Sequence, residues 1–302
     1  TYSVSETVPA GWALETAVCV GDDDSTDPAR IVLDPNETVT CTFTNRRTSS
    51  GPDATIYVAT ATTGTVRGVT YAPGDILAYD GRSDSWSLYF DGSDVGWTRA
   101  VSDFTQLPDG SLLLAAGART TLGAGATRFT LEVQDIARFV PTSLGQTTAG
   151  TFSLYFDGSD VTLSTAGERI DALAIKNDGT LLISTSDRAT VKSGGTSITG
   201  QDEDLLAFKP TQLGATTAGA WSLLPDGFDG STLTGMAAED VTGAWYNAAT
   251  GDYYLTITND FKVAGVKGNQ RTVLKVTPAG AVSVYWDAAT AGFTGTVDAL
   301  WI

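Results

Sequence analysis

SLYFDGSDVGW, Ser87–Trp97, returns as SLYFDGSDVTL at Ser153–Leu163. A weaker copy, SLLPDGFDGSTL, begins at Ser222, and SVYWDAATAGF begins at Ser283. The starts lie 66, 69 and 61 residues apart. A long unit at near-constant spacing marks a repeat architecture, in which each unit buries its apolar face against its neighbours.

Each unit splits into four strand-length pieces. After the second copy, Arg169–Ile175 alternates, Asn177-Asp178-Gly179 supplies a hairpin turn, and Thr180–Thr185 follows. Asp204–Phe208 and Gly219–Leu224 complete the set beyond a loop rich in Gly, Ser and Thr. First pieces recur at Ala100–Gln106, Arg169–Lys176, Asp240–Tyr246 and Val297–Ile302; second pieces at Ile56–Ala61, Ser111–Ala115, Thr180–Thr185 and Asp252–Thr256. Third pieces recur at Asp75–Tyr79, Asp135–Phe139, Asp204–Phe208 and Arg271–Val276; fourth pieces at Ser85–Phe90, Thr151–Phe156, Ala220–Leu224 and Ala281–Trp286.

The phase decides the closure. The repeats are entered at a second strand and left at a first strand, so Asp298–Ile302 and Ile56–Thr60 each lack a sequential partner. Pairing them completes a fourth sheet and leaves no open edge. The expectation is an all-β, four-bladed β-propeller over 54–302 whose closing blade is shared by both ends. Two packed β-sandwiches are the alternative.

The chain has 302 residues, 42% of them hydrophobic, with a formal charge of −17, no His and two Cys. Such acidity argues against a nucleic-acid partner, which needs a basic footprint, and favours attraction of cations to acidic clefts. No apolar run approaches the ~20 residues of a membrane helix. The chain starts without Met and already reads as strand, so a processed or partial chain is expected.

Residues 1–47 alternate Val, Thr, Tyr and Leu, broken at Pro9-Ala10-Gly11 and Asp34-Pro35-Asn36, and read as a partial β-sandwich of about four strands. Thr48–Asp53 reads as a linker. Cys19 and Cys41 fall in two strands that could be neighbours. Paired, they would be worth about 3 kcal/mol by loop entropy; buried thiols or a metal pair are the alternatives, though a zinc site would lack further ligands. Asp22-Asp23-Asp24-Ser25-Thr26-Asp27 is an acidic loop, either solvated or cation-binding, and Asn36-Glu37-Thr38 fits a glycosylation sequon.

The run Tyr2–Trp12 with the closing Val39–Asn45 resembles the second half of the prealbumin-like (SpaA or collagen-adhesin B type) repeats of bacterial surface proteins. Many members join the closing Asn to a first-strand Lys by an isopeptide bond. Asn45 occupies that place, yet residues 1–50 contain no Lys. The resemblance implies earlier strands, supplied by upstream sequence or by strand addition from a neighbouring subunit, which would build a homo-oligomer or filament. The remaining five sixths of the chain, with FDGSDVG and the run Asp202–Thr211, resembles repeats of large secreted bacterial proteins. That resemblance implies an extracellular, secreted or cell-surface location.

Two sets of residues are candidates for a metal. Aligning Val101, Ile170, Val241 and Val297 puts Ser102, Asp171, Thr242 and Asp298 next, one per blade around the channel, where four oxygens could hold Ca²⁺. The DGSD turns offer Asp91 with Asp94, Asp157 with Asp160, and Asp226 with Asp229, although Asx-turns explain the same residues. Without His a Ser-His-Asp or Cys-His nucleophile is excluded, and Glu168, Glu239 and Asp240 are the carboxylates to consider for catalysis. Trp86, Trp97, Trp221, Trp245, Trp286 and Trp301 could form a sugar-stacking platform, but most sit at blade-strand positions, where packing between sheets is the commoner job, and Trp97 is the least constrained. The expected function is that of a non-catalytic extracellular surface or filament protein with the propeller as a rigid display or ligand-binding body. A calcium-dependent carbohydrate-binding module and a polysaccharide-active enzyme are the competing readings.

Overall fold

In the computed structural model, which describes residues 1–8, 12–21, 27–47 and 52–302, the repeats form four four-stranded antiparallel sheets around a channel. From the channel outward, blade 1 runs Ala299–Trp301, Thr55–Ala59, Ile76–Asp80, Ser85–Phe90. Blade 2 runs Val101–Gln106, Leu112–Ala116, Ile136–Ser143, Ala149–Phe156. Blade 3 runs Ile170–Ile175, Leu181–Thr185, Leu206–Gln212, Ala218–Ser222. Blade 4 runs Val241–Asn247, Asp252–Ile257, Thr272–Val276, Val282–Asp287. The chain is a four-bladed β-propeller.

Blade 1 closes the ring as its phase demands: Ala299 lies opposite Ala59, Leu300 opposite Val58 and Trp301 opposite Tyr57. Asp298 adds a clasp, its N–H donating to the Ala59 carbonyl at 3.0 Å and its Oδ2 accepting the Ala61 N–H at 2.6 Å.

Local sequence explains the strands. Leu112–Ala116 is buried at every position, as expected for a strand with a blade on either face. The turn before Leu181 needs a left-handed residue, and Gly179 supplies it at φ 83° while Asp178 Oδ1 accepts the Thr180 N–H. Side chains then meet between blades, not within them. Four apolar clusters fill the spaces between blades 1 and 2, 2 and 3, 3 and 4, and 4 and 1. The last holds Ile56 and Trp86 against Val273 and Trp286, so the closing interface is packed like the others.

Sequence reading missed one element per blade. A short hairpin leaves each sheet between its second and third strands: Gly64–Val66 with Val69–Tyr71, Thr120–Leu122 with Phe129–Leu131, Ala189–Ser193 with Thr196–Gly200, and Phe261–Val263 with Val266–Gly268. These ribbons are short and half exposed, so their alternation is too brief to separate them from loop.

In the first unit, Trp12–Val20 pairs antiparallel with Thr40–Arg47, and Tyr2 bridges Ile31. Two strands and a bridge stand among the described residues where four strands were expected. Cys19 lies directly opposite Cys41 and the two form a disulfide. The Asn45 amide donates to Glu6 Oε1, while Glu6 Oε2 and Asn45 Oδ1 are buried without a partner. Tyr2, Val4, Trp12, Leu14, Val18 and Val20 are exposed. The chain divides into Thr1–Ser50 and Gly51–Ile302. Residues 22–26 of the acidic loop and 48–51 of the linker lie outside the described residues.

Candidate functional site

The first strands of the four blades pack on one another around the axis. Three carry a one-residue bulge at the same place: at Ser102, between Val101 and Asp103; at Asp171, between Ile170 and Ala172; and at Thr242, between Val241 and Gly243. A bulge re-aims its side chain. Together with Asp298 these residues line one cavity of about 590 Å³ at the strands' N-terminal ends. The sequence therefore named four residues that the fold brings together.

Their partners differ. Ser102 Oγ donates to the Ile170 carbonyl at 2.8 Å, and Thr242 Oγ1 lies 3.4 Å from Thr256 Oγ1. Asp298 Oδ2 also accepts from Thr296 Oγ1 at 2.7 Å. Asp171 is 3% exposed, and neither of its oxygens has a hydrogen-bond partner. Its nearest cation is Arg169, whose Nη2 stands 3.9 Å from Oδ2. Asp240 lines the same cavity, with Oδ1 unpartnered. Of the three carboxylates considered for catalysis it is the one at the channel; Glu168 is spent on the Ser164 and Thr165 N–H groups.

One position further along, the strands show what holds the ring together. The residues there are Asp103, Ala172, Gly243 and Ala299: one carboxylate among three small residues. Asp103 is wholly buried on the axis. Its Oδ1 accepts the N–H of Phe104 at 2.8 Å and of Leu300 at 3.1 Å; its Oδ2 accepts the N–H of Leu173 at 2.5 Å and of Ala244 at 3.1 Å. Each blade donates one N–H. Gly243 makes the approach possible, because a Cβ there would meet the Ala299 Cα at 3.2 Å and the Leu300 N at 3.3 Å. Burial raises the Asp103 carboxyl well above the ordinary carboxylate range, opposed only in part by the four N–H groups. Since they occupy the lone pairs of both oxygens, the ionised carboxylate is the form that fits. Four orphan donors are thus satisfied by one side chain.

The DGSD turns act as latches between blades. Asp91 Oδ1 accepts from the Ser93 N–H and Oγ, and Asp94 Oδ2 accepts the Thr148 N–H from the next blade's outer loop. Asp157 and Asp160 repeat this with Ser159 and Thr217. In the third copy Asp229, not Asp226, takes the first role, accepting from Ser231. Buried Asp75, Asp135 and Asp204 accept from Gly92, Gly158 and Gly230 beneath the turns. Apart from Asp226, the turn carboxylates are thus engaged by N–H and O–H donors, as Asx-turns require. Among the described residues no three carboxylate or Cys side chains are grouped to hold a metal; Ca²⁺ on a ring of two carboxylates with Ser102 and Thr242, or on the paired turn carboxylates, stays an expectation.

The other end of the channel is chemically different. Three to five residues on, at ~3.3 Å each, the inner strands end in a cavity of about 780 Å³ lined by Trp245, Tyr246 and Trp301 with Gln106 and Lys176, and by Tyr155 from the outer strand of blade 2. No carboxylate lines it. The rings are half-buried and braced from behind. Trp301 packs on Tyr57 at 4.9 Å, Trp245 on Tyr254 at 5.1 Å, and Tyr246 on Tyr253 at 5.1 Å. Lys176 Nζ lies 5.4 Å over the Tyr246 ring, and Gln106 donates to the Tyr89 hydroxyl at 2.9 Å. Burial pushes Tyr89 and Tyr253 to about 12, so both phenols stay neutral. Sequence reading named Trp245 and Trp301 only among six tryptophans and missed Tyr155 and Tyr246, and it chose the wrong tryptophan as free: Trp97 is 1% exposed and stacks on Phe152 at 5.8 Å.

The acidic end sets a pH dependence. Burial and the neighbouring Asp240 hold Asp171 well above the ordinary carboxylate range. Burial and then the Asp202 charge raise Asp240 to about 7, against the pull of Arg169, and burial takes Glu203 to about 7. A carboxyl raised in the folded state contributes its stability fully below its unfolded value, near ~4, and loses it as pH climbs through the folded value. Asp80, Asp109 and Asp178, lowered chiefly by the Ser83 hydroxyl, the Ser111 hydroxyl and the Thr180 N–H respectively, work the other way and lose theirs as pH falls below ~4. The melting temperature is expected to peak near pH ~4–5 and to decline towards pH ~8. A melting temperature that rises over that interval would contradict the raised values.

Residues 1–47 match the family of prealbumin-like fold domains. No curated protein matches the chain. Among solved structures it is similar to the PQQ-bound form of an aldose sugar dehydrogenase from Streptomyces coelicolor, 10% identical over 83% of this chain and 90% of that one, with a TM-score of 0.33. It is also similar to PorZ, a surface component of the type-IX secretion system of Porphyromonas gingivalis, 13% identical over 72% of this chain and 30% of that one, TM-score 0.27. A third is the extracellular domain of a one-component system from B. thetaiotaomicron, 12% identical over 77% and 39%, TM-score 0.23. The expectation that the chain is not an enzyme is corrected here to an open one: a sugar dehydrogenase stands among the similar structures, and enzyme status is not shown in either direction.

Proposed function

We propose that the chain belongs to an extracellular surface protein whose propeller is a rigid ligand-binding body, and that its ligand is a saccharide held in the aromatic cavity. The surface-protein-like prealbumin domain over residues 1–47 supports the location. The observation that carries the ligand class is the lining itself: Tyr155, Trp245, Tyr246 and Trp301 converge from three blades on one cavity with Gln106, Asn177 and Asn247 between them. Apolar sugar faces lie against rings, and hydroxyls find amides and phenols, in a cavity of the size that small ligands use. Lys176 is the one formally charged side chain in the lining, which favours an acidic sugar such as a uronate.

Glycan-array screening of the whole chain followed by calorimetry tests this. Trp245→Ala and Lys176→Ala should each weaken the bound glycan about tenfold or more, ~1.4 kcal/mol. EDTA should leave binding unchanged, because no carboxylate lines the cavity. An array without ligands, or a bound glycan indifferent to both substitutions, would reject the reading; loss in EDTA would return the calcium-dependent one.

A further inference from the structure

We propose that the acidic end of the channel is a second ligand site, for a small primary alkylammonium, with Asp171 as the anchoring carboxylate. Ser102, Thr242 and Asp298 have partners within the protein, whereas Asp171, at the equivalent bulge, is buried with neither oxygen hydrogen-bonded. A buried carboxylate without donors is the least favourable polar state a fold can hold. It lines the 590 Å³ cavity with both oxygens covered, so a donor from the cavity reaches them by a small shift of the lining.

The sign of the occupant follows from the charges. Asp171, Asp240 and Asp298 line the cavity against Arg169 and Arg99, and Asp187 and Asp202 add negative potential at Asp240. Arg169 does not discharge Asp171: at 3.9 Å it forms an ion pair without a hydrogen bond, and its Nε is itself unpartnered. Three carboxylates against two guanidinium groups leave the lining one formal negative charge, which a monovalent ammonium balances and a divalent metal overshoots. The space also exceeds what a bare ion fills. A primary ammonium brings three donors, enough for both oxygens of Asp171 and one further acceptor. Ala61, Pro73, Ala100 and Ala118 give its alkyl stem an apolar wall. This site is independent of the aromatic cavity, which lies at the opposite ends of the same strands.

The test uses the whole chain with n-butylammonium, 1,4-diaminobutane, n-butanol and CaCl₂ as separate probes at neutral pH. Both amines should bind saturably and raise the melting temperature, and n-butanol should do neither. Asp171→Asn should weaken amine binding about tenfold or more. Because asparagine matches the neutral carboxyl that burial favours when no cation is bound, the ligand-free variant should melt at or above the parent temperature. Four results would overturn the proposal: no saturable amine binding, binding indifferent to Asp171→Asn, a ligand-free Asp171→Asn protein that melts well below the parent, or stabilisation by Ca²⁺ alone acting through Asp171.

Discussion

Asp103→Asn should lower the melting temperature of the propeller by about 10 °C or more, while Ser102→Ala, one residue away, should cost little. The carboxylate accepts one backbone N–H from every blade, two on each oxygen. Asparagine keeps one such oxygen and turns an NH₂ group toward the other two donors. Two buried N–H groups then lose their acceptor and face another donor. Each unpaired group costs roughly 1–3 kcal/mol, so about 3–5 kcal/mol is expected. Each kcal/mol moves a domain of this size by roughly 2–4 °C. Ser102 contributes one hydroxyl bond to a carbonyl at the cavity edge, worth about 1 kcal/mol. Thermal denaturation of both variants decides it. An Asp103→Asn protein that melts with the parent would mean that the hub does not hold the blades.

Removal of Val297–Ile302 should be more damaging. The segment supplies the inner strand of blade 1, and Val297, Ala299 and Leu300 are almost wholly buried. Burial of the Val and Leu side chains is worth about 1.5–3 kcal/mol each. The deletion also takes one of the four donors to Asp103, the Asp298 clasp on Ala61, and the pairing with Tyr57–Ala59. It leaves Thr55–Ala59 as an open edge facing the channel. The sum, about 6 kcal/mol or more, is comparable with the entire stability of many domains. The shortened chain should unfold at much lower denaturant with a broadened transition. If its midpoint stayed within experimental error of the parent's, the shared blade would carry no load in closing the ring.

The substitution and the deletion differ in how visible their targets are in the sequence. The closing strand was legible because repeat phase is a property of order along the chain: a series that starts on a second strand and ends on a first strand has one economical closure. Strands and turns were legible for a similar reason. Alternation in Arg169–Ile175 and the left-handed demand met by Gly179 are local, and local physics acts on neighbours in sequence. Alignment of the inner strands even gathered Ser102, Asp171, Thr242 and Asp298 correctly at one cavity.

It did not say what those residues would meet there. Ser102 and Asp171 occupy equivalent bulges, yet one finds a carbonyl and the other finds no hydrogen-bond donor, because such partners come from other blades. Trp97 looked free beside a glycine-rich turn and is buried; Trp245 and Trp301 looked like packing residues and line a cavity. Strand periodicity records which face a side chain takes, whereas exposure at a strand's end depends on how far the neighbouring blade extends.

The sequence by itself determined the number of blades, their order and the closure, since each is written in spacing and alternation. Only the tertiary structure decided that Asp103 is the hub and that the two ends of the channel differ in chemistry. Both depend on four strands, far apart in the chain, meeting around one axis, where a single side chain is within reach of all of them.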